Sequence, residues 1–273
     1  MSESVRLEVR TDRIAVATID RPGSRANILT ADLWNQFDEV LQELEAGLAG
    51  LVVASGKPGA FIAGADLKYL ASVPAPNDPG VRALIELGLR VLARLSALPF
   101  PTCAAINGPA LGGGLEVALA CDYRAVGSNP KIQIGLPEVK LGLIPGWGGT
   151  QRLPRLVGLK PAADLLATGE SLNAEQSMKI GLIDIRTDST HLIEVAADFL
   201  AKKSKREPLA INDHTLPMIP REPVAAREAI QCLIAGTKLS FDSAIRVETT
   251  AFLRLAGSDE SKRLIAEFFN RKT

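Results

Sequence analysis

The segment TCAAINGPALGGGLEVALA, residues 102–120, decides the fold because it joins a strand to a helix through glycines. Residues 102–106 predict a short buried strand. A turn follows at Asn107-Gly108-Pro109, and three glycines then lead into an apolar helix. Glycine lets the backbone approach a ligand closely, and the first N–H groups of a helix have no partner within it. The segment therefore predicts free N–H groups suited to an oxygen on which negative charge develops.

An earlier stretch, FIAGADLKYL at residues 61–70, has the same design. A short extended piece ends at Gly64, and the chain then enters a helix that Asp66 is placed to cap. Tight packing of a helix on a strand would also explain three glycines, so that motif alone is weak evidence. Two such stretches in one chain favour a functional interpretation, in which a pair of N–H groups binds a single carbonyl oxygen.

A third stretch, IGLPEVKLGLIPGWGGTQRL at residues 134–153, completes a recognisable set. With these motifs in this order, the chain resembles the enoyl-CoA hydratase/isomerase (crotonase) superfamily over most of residues 5–205. The third stretch and the C-terminal end are most similar to the amino-terminal hydratase module of multifunctional fatty-acid oxidation enzymes. The chain has no GxGxxG motif of the dehydrogenase that follows in those proteins. We therefore expect either a free-standing relative or a module of a longer enzyme.

The resemblance implies a set of site residues. Ala65 and Gly113 would supply the two N–H groups of an oxyanion hole, and Glu116 and Glu138 would be the catalytic carboxyl pair. Coenzyme A would be part of the substrate, with no further cofactor and no metal. The candidates for binding the thioester and the coenzyme A are Ala63, Gly64, Asp66, Leu67, Lys68 and Arg25. Because exposed lysine and arginine side chains are usually only solvated, Lys68 and Arg25 are the weaker candidates.

Both glutamates lie in apolar surroundings. Glu116 falls within an apolar helix, where an ionisable side chain is rare unless it is paired or functional; a carboxyl satisfied by an arginine or by backbone groups is the alternative. Glu138 lies among apolar residues, which predicts a desolvated carboxyl with a raised pKa. Two such carboxyls near one another would titrate as a coupled pair, as acid–base chemistry near neutral pH requires.

These features favour an enoyl-CoA hydratase, which adds water across the 2,3 double bond of a 2-enoyl thioester. Relatives that only shift a double bond manage with one carboxyl at the position of Glu138, so a Δ3,Δ2-enoyl-CoA isomerase, or isomerase as a second activity, ranks second. A non-catalytic relative that binds acyl-CoA or RNA is the alternative from another class. Only the basic run at residues 202–206 would support RNA binding, and we interpret that run as a solvated helix end.

Bulk composition limits the other classes of function. The chain has 31 basic and 31 acidic residues, which argues against a nucleic-acid surface. Its three cysteines, in apolar surroundings, predict buried reduced thiols. No apolar run is long enough to cross a bilayer, and the start lacks the pattern of a signal peptide, so we expect a cytoplasmic enzyme. The histidines, His191 and His214, lie far apart in the sequence, which argues against a histidine metal site.

Strand and helix patterns alternate through the first part of the chain and predict an α/β fold. One helix is predicted after Thr30 and another over residues 81–98. By resemblance, residues 1–206 form a crotonase-like spiral of ββα units, and residues 207–273 form a C-terminal helical region. Prolines 208, 217, 220 and 223 break the connector, and helices are predicted at residues 224–234, 240–255 and 258–269. Their apolar faces either fold back over their own core or take part in a homo-oligomer, which the resemblance favours as a trimer or hexamer.

Overall fold

The computed structural model describes residues 3–207, 210–211 and 215–271. Pro208 and His214, both named above, lie outside the described residues. The chain forms two compact units that are interleaved in sequence. Unit 1 consists of Met1–Ala65, Leu87–Ile134 and Leu172–Pro208, and unit 2 consists of Asp66–Glu86, Gly135–Ser171 and Leu209–Thr273. Two internal segments thus group with the C-terminal helices, whereas the boundary after residue 206 stays a prediction.

The strands lie mostly in unit 1. They are β1 (Val5–Val9), β2 (Ile14–Ile19), β3 (Gly50–Ser55), β4 (Thr102–Ile106), β5 (Ala110–Leu111), β6 (Tyr123–Val126), β7 (Ile134–Gly135), β8 (Ser171–Leu172) and β9 (Ile185–Arg186). The main sheet has the order β1-β2-β3-β4-β6-β9, in which β1 pairs antiparallel with β2 and the other pairs are parallel. Every residue of β3 and β4 is buried, as expected for parallel strands covered on both faces.

Helices follow most of the strands. They are α1 (Ala31–Gln42), α2 (Leu67–Ser72), α3 (Pro79–Ala97), α4 (Gly113–Ala120), α5 (Gly149–Val157), α6 (Leu159–Thr168), α7 (Ala174–Lys179), α8 (Leu192–Leu200), α9 (Val224–Gly236), α10 (Phe241–Leu255) and α11 (Asp259–Asn270). Short 3-10 turns occur at Pro137–Leu141 and Ser189–His191. The helices predicted after Thr30 and near residues 81–98 are confirmed as α1 and α3. No helix in the described part of the chain is long and apolar enough to span a membrane.

The core of unit 1 lies between the sheet and helix α8. Side chains of β2, β3 and β4 form one buried cluster with Leu192, Ala196 and Leu200 of α8. Helix α1 begins where Thr30 Oγ1 accepts a hydrogen bond from Leu33 N at 3.3 Å, which is an ordinary N-cap. Cys103 and Cys121 of this unit are buried and free, as is Cys232 of unit 2, so the prediction of buried thiols is confirmed.

Unit 2 is mainly helical. Helices α5, α6, α9 and α10 pack on one another, and α11 packs on α2 and on the 3-10 turn Pro137–Leu141. The three C-terminal helices occur where the sequence predicts them, with Ser240 and Ser258 as caps rather than as first residues. On α10, Phe252 and Leu255 are buried within the unit. Their packing is therefore of the kind expected for helices that cover their own core.

The interpretation of the basic run as a solvated helix end is wrong for its last two residues. Helix α8 ends at Leu200. Lys205 Nζ lies 3.5 Å from Asp122 Oδ2, and Arg206 Nη2 lies 2.5 Å from Asp184 Oδ1. The Arg206 guanidinium also lies 4.4 Å from the centre of the Tyr123 ring. Both cations hold this segment against the sheet of unit 1, because they pair with Asp122 and Asp184.

Candidate active site

The two glycine stretches of unit 1 run side by side. Ile62 forms a parallel bridge with Ala110, and Leu111 N donates to Ile62 O at 3.3 Å. A Cβ atom on Gly64 would lie 3.0 Å from Leu111 O and 3.7 Å from Gly113 N. Gly64 also has a φ of +104°, which strains any residue with a side chain. The stretch that ends at Ala65 therefore passes directly beside the amide of Gly113.

The amides of Ala65 and Gly113 are unused. Within the described chain, neither N–H donates a hydrogen bond to a protein acceptor. Gly113 is the first residue of α4, and the N-cap Gly112 has no side chain to accept from the helix start. Free N–H groups at a helix start carry partial positive charge. This part of unit 1 has the properties required to bind an anionic oxygen.

Close backbone packing holds the start of α4 in place. A Cβ atom on Gly114 would lie 2.1 Å from Ile62 O, a separation that no side chain tolerates. Helix α4 therefore begins in direct contact with the neighbouring stretch. The position needs glycine because the contact is with backbone, which cannot rotate away.

A buried asparagine that the sequence analysis missed fixes the other side of this region. Asn27 Nδ2 donates to Ile19 O at 2.9 Å, to Ser55 Oγ at 2.9 Å and to Phe61 O at 3.0 Å. The side-chain oxygen Oδ1 of Asn27 accepts from Arg21 N at 3.0 Å. The side chain thus ties a loop, two strand ends and the stretch before Gly64 together. The sequence analysis considered this loop only for Arg25, since a loop asparagine gives no signal of burial.

Glu116 lies on α4, every residue of which is buried. Its own exposed fraction is 1%. The end of the same helix is held by Arg124, whose Nη1 donates to Cys121 O at 3.0 Å and to Ala118 O at 3.4 Å. A carboxyl group is thus placed in a rigid apolar helix that begins with a free amide.

Glu138 lies in unit 2, in the 3-10 turn Pro137–Leu141. Gly142 closes the turn with a φ of +68°, and Leu143 N donates to Glu138 O at 3.0 Å. The residue is half-buried, but the carboxyl oxygen Oε2 is fully removed from solvent and has no hydrogen-bond partner within the described chain. Burial raises the pKa of Glu138, and the negative charge of Glu248 raises it further. A neutral carboxyl, able to give up a proton, is the expected resting form.

Glu248 is a second buried carboxyl of unit 2 and was not predicted. Its exposed fraction is 0%. Oε1 accepts from Gly148 N at 2.6 Å, and Oε2 accepts from Thr150 N at 2.9 Å and Thr150 Oγ1 at 2.5 Å. Burial raises the pKa of Glu248, and these donors oppose that rise. The sequence does carry a signal, because Glu248 stands between Ile245 and Phe252 on the apolar stripe of α10.

The coenzyme A candidates differ in how the structure uses them. In unit 2, Asp66 caps α2 as predicted, since Oδ1 accepts from Lys68 N at 2.9 Å and Tyr69 N at 3.3 Å. Leu67 is half-buried and the Lys68 side chain is exposed. In unit 1, Ala63 N donates to Asn27 O at 2.9 Å, and Arg25 is exposed. No group of three or more His, Cys, Asp or Glu side chains suited to a metal occurs in the described ranges.

Unused amides beside a glycine-rich helix start, together with buried carboxyls, are typical of enzymes that stabilise an oxyanion and transfer protons. The family model for enoyl-CoA hydratase/isomerase matches residues 10–216. The chain belongs to this family, and the predicted resemblance and crotonase-type α/β fold with a C-terminal helical region are confirmed. The family acts on enoyl-CoA thioesters, which identifies the chemical class of the enzyme.

The curated relatives agree with the predicted similarity to multifunctional fatty-acid oxidation enzymes. The fatty acid oxidation complex subunit alpha of Aliivibrio fischeri is 40% identical over 280 residues, covering 94% of this chain and 40% of the relative. The subunit of the same name from Vibrio parahaemolyticus is 38% identical over 290 residues, covering 96% of this chain and 40% of that protein. The chain therefore spans about two fifths of the length of these relatives.

Solved structures show the same fold. Enoyl-CoA hydratase from Bacillus anthracis matches with a TM-score of 0.67 and 28% identity, over 98% of this chain and 96% of that chain. Human mitochondrial delta3-delta2-enoyl-CoA isomerase matches with a TM-score of 0.76 and 23% identity, over 98% of both chains. At that identity the likeness to the isomerase concerns the fold alone. Enzymes of both names thus share this fold, and the choice of reaction depends on the site.

Proposed function

We propose that the chain is an enoyl-CoA hydratase, which adds water across the 2,3 double bond of a 2-enoyl-CoA thioester. The observation that carries this proposal is the adjacency, within unit 1, of the stretch ending at Ala65 and the amide of Gly113, both with unused N–H groups. A thioester carbonyl bound there becomes more polarised, because two donors stabilise the negative charge that its oxygen gains. That polarisation draws electrons from C3 and prepares it for attack by water.

The proposed proton transfers use the two glutamates of the family motifs. Glu116, as carboxylate, takes a proton from water while the hydroxide oxygen forms its bond to C3. The electrons of the double bond move toward the thioester oxygen, and the amides of Ala65 and Gly113 hold the resulting enolate. Glu138, as neutral acid, then gives its proton to C2 as the enolate collapses. Exchange with solvent returns a proton to Glu138 and removes the one gained by Glu116.

Two properties of the glutamates support this division of roles. Glu138 is raised in pKa and lacks a donor at Oε2, which favours the protonated form. Glu116 lies on α4, the helix whose first amide belongs to the proposed oxyanion hole. The reaction needs no cofactor, since coenzyme A is part of the substrate. We also propose that residues 63–68 and Arg25 contact the thioester and the coenzyme A. The same proposal includes a cytoplasmic location and a trimeric or hexameric assembly.

An assay with three substrates tests the activity. Crotonyl-CoA and a longer 2-enoyl-CoA should both lose the absorbance of the conjugated thioester, whereas a 3-enoyl-CoA should react slowly. Glu116→Gln and Glu138→Gln should each lower turnover by roughly 100 to 10,000-fold, the usual contribution of a general acid or base. Near-normal hydration in both variants would rule out this mechanism, and turnover of the 3-enoyl substrate alone would identify an isomerase.

A further inference from the structure

Glu248 accepts hydrogen bonds from the turn that begins α5. Its two oxygens accept hydrogen bonds from two backbone N–H groups and one hydroxyl, at Gly148 and Thr150. These groups lie at the start of α5, where helix N–H groups lack internal partners and favour negative charge. The position of Glu248 is therefore one at which a buried carboxylate is stabilised by several donors.

Glu138 has the opposite surroundings. Its Oε2 is buried and has no donor within the described residues, so ionisation there would leave an unsatisfied charge. Hydrogen bonds hold both ends of the segment from Glu138 to Gly148. At one end Leu143 N donates to Glu138 O, and at the other Gly148 N donates to Glu248 Oε1. Between them, a Cβ atom on Gly146 would lie 3.0 Å from a ring carbon of Phe252, one turn after Glu248 on α10. The segment that follows Glu138 thus packs directly against the helix that carries Glu248.

We propose that Glu248 is a positioning residue that keeps the negative charge of this buried pair and thereby leaves the proton on Glu138, the acid of the proposed hydration. The inference rests on the proposed function for its catalytic consequence. Its electrostatic part depends only on the contacts within unit 2. Removing the charge of Glu248 removes the repulsion that opposes ionisation of Glu138.

Other groups near the pair act in the same direction or are neutral. Arg152 of α5 lowers the pKa of Glu248 and so supports its negative charge. Burial and the negative charge of Glu248 raise the pKa of the Cys232 thiol on α9, so this thiol is neutral. Thr150 contributes a hydroxyl donor that does not ionise. The negative charge of Glu248 opposes ionisation of Glu138.

Carbon-13 NMR titration of the full chain, with labelled glutamate carboxyls, tests the inference directly. The Glu138 signal is assigned by its loss in Glu138→Gln. In Glu248→Gln its midpoint should fall by about one pH unit or more, and Glu248→Asp should restore part of the wild-type value. Asp242→Asn, which removes an exposed charge from the same helix, should leave the midpoint unchanged. An unchanged midpoint in Glu248→Gln would overturn the inference.

Activity supplies a second readout that separates this inference from the proposed function. In Glu248→Gln the alkaline limb of the kcat/KM profile for crotonyl-CoA should move to lower pH, which a merely structural cap would not cause. If Glu138→Gln keeps full hydratase activity, the proposed role of Glu138 as the acid fails, while the NMR shift in Glu248→Gln can still stand. If Glu248→Gln does not fold, Thr150→Val removes one donor from Glu248 at nearly constant shape. The Glu138 midpoint should then fall by a smaller amount, and no fall would overturn the inference.

Discussion

Unit 1 and unit 2 position their candidate catalytic groups in different ways. In unit 1 the candidate oxyanion site consists of backbone amides, and glycines at positions 64 and 114 hold them through backbone contacts. In unit 2 the candidate proton donor is a side chain, and its protonation depends on burial and on a second carboxyl, Glu248. A backbone site is fixed by sterics, whereas a side-chain acid is tuned by electrostatics. Substitutions in the two units should therefore change different properties of the enzyme.

Among substitutions that distinguish the two units, Gly114→Ala should have the largest effect on activity. The new Cβ atom would lie 2.1 Å from Ile62 O, so the start of α4 must move by about an ångström to relieve the contact. A displacement of that size at the Gly113 amide should lower kcat/KM for crotonyl-CoA by roughly 100-fold. Steady-state assays measure the loss, and the pH profile should keep its shape.

Gly181→Ala is the matched control for this substitution. Gly181 also belongs to unit 1, but its φ is +75° and a Cβ atom there would meet nothing within 4 Å. The variant should lose about 1 kcal/mol of stability through backbone strain, with kcat/KM unchanged. An equal loss of activity in both variants would show that general destabilisation, and not the position of the amide, limits the reaction.

Asn27→Ala should reduce stability more than it changes the chemistry. The substitution leaves Phe61 O without its buried donor, whereas Ile19 O keeps the hydrogen bond from Gly56 N. An unsatisfied buried polar group costs roughly 1–3 kcal/mol, so urea unfolding should show a loss of about 2 kcal/mol or more. Asn173→Ala, which removes the cap of α7, gives a comparison at an exposed position; its loss should be about 1 kcal/mol. Equal losses would mean that Asn27 does not organise this region.

The pH dependence of stability should depend on the buried carboxyls of unit 2. Glu138 and Glu248 have folded-state pKa values raised by burial above the ordinary value of 4.5. Such groups contribute stability that is fully present below the unfolded pKa and is lost as pH rises through the folded pKa. The free energy of unfolding should therefore fall between about pH 5 and pH 8. In Glu138→Gln the fall should be smaller, by about 1 kcal/mol per pH unit over that window. Parallel pH curves for both proteins would contradict the raised pKa of Glu138.

The contrast also explains what the sequence could predict. Glycine motifs such as residues 112–114 predicted a helix start beside a neighbouring stretch, because only glycine permits such contacts. The three C-terminal helices followed from their apolar stripes. Asn27 and Glu248 were missed, because their roles depend on partners far away in sequence, such as Phe61 and Thr150. The apolar stripe of α10 indicates that Glu248 is buried, but no local pattern indicates the burial of Asn27 or the partners of either side chain.

The smallest effects should come from Lys205 and Arg206, the two residues of the basic run for which the sequence interpretation was wrong. Lys205 makes one pair of 3.5 Å with Asp122 and is partly exposed, so Lys205→Ala should cost less than about 1 kcal/mol. Arg206 combines a 2.5 Å pair with Asp184 and a contact with the Tyr123 ring, and Arg206→Ala should cost more than Lys205→Ala. Urea unfolding of both variants measures the difference. Because these cations are already paired with acidic side chains, the full chain should also show no salt-sensitive binding to single-stranded RNA; such binding would mean that the run serves a nucleic acid and not the packing of unit 1.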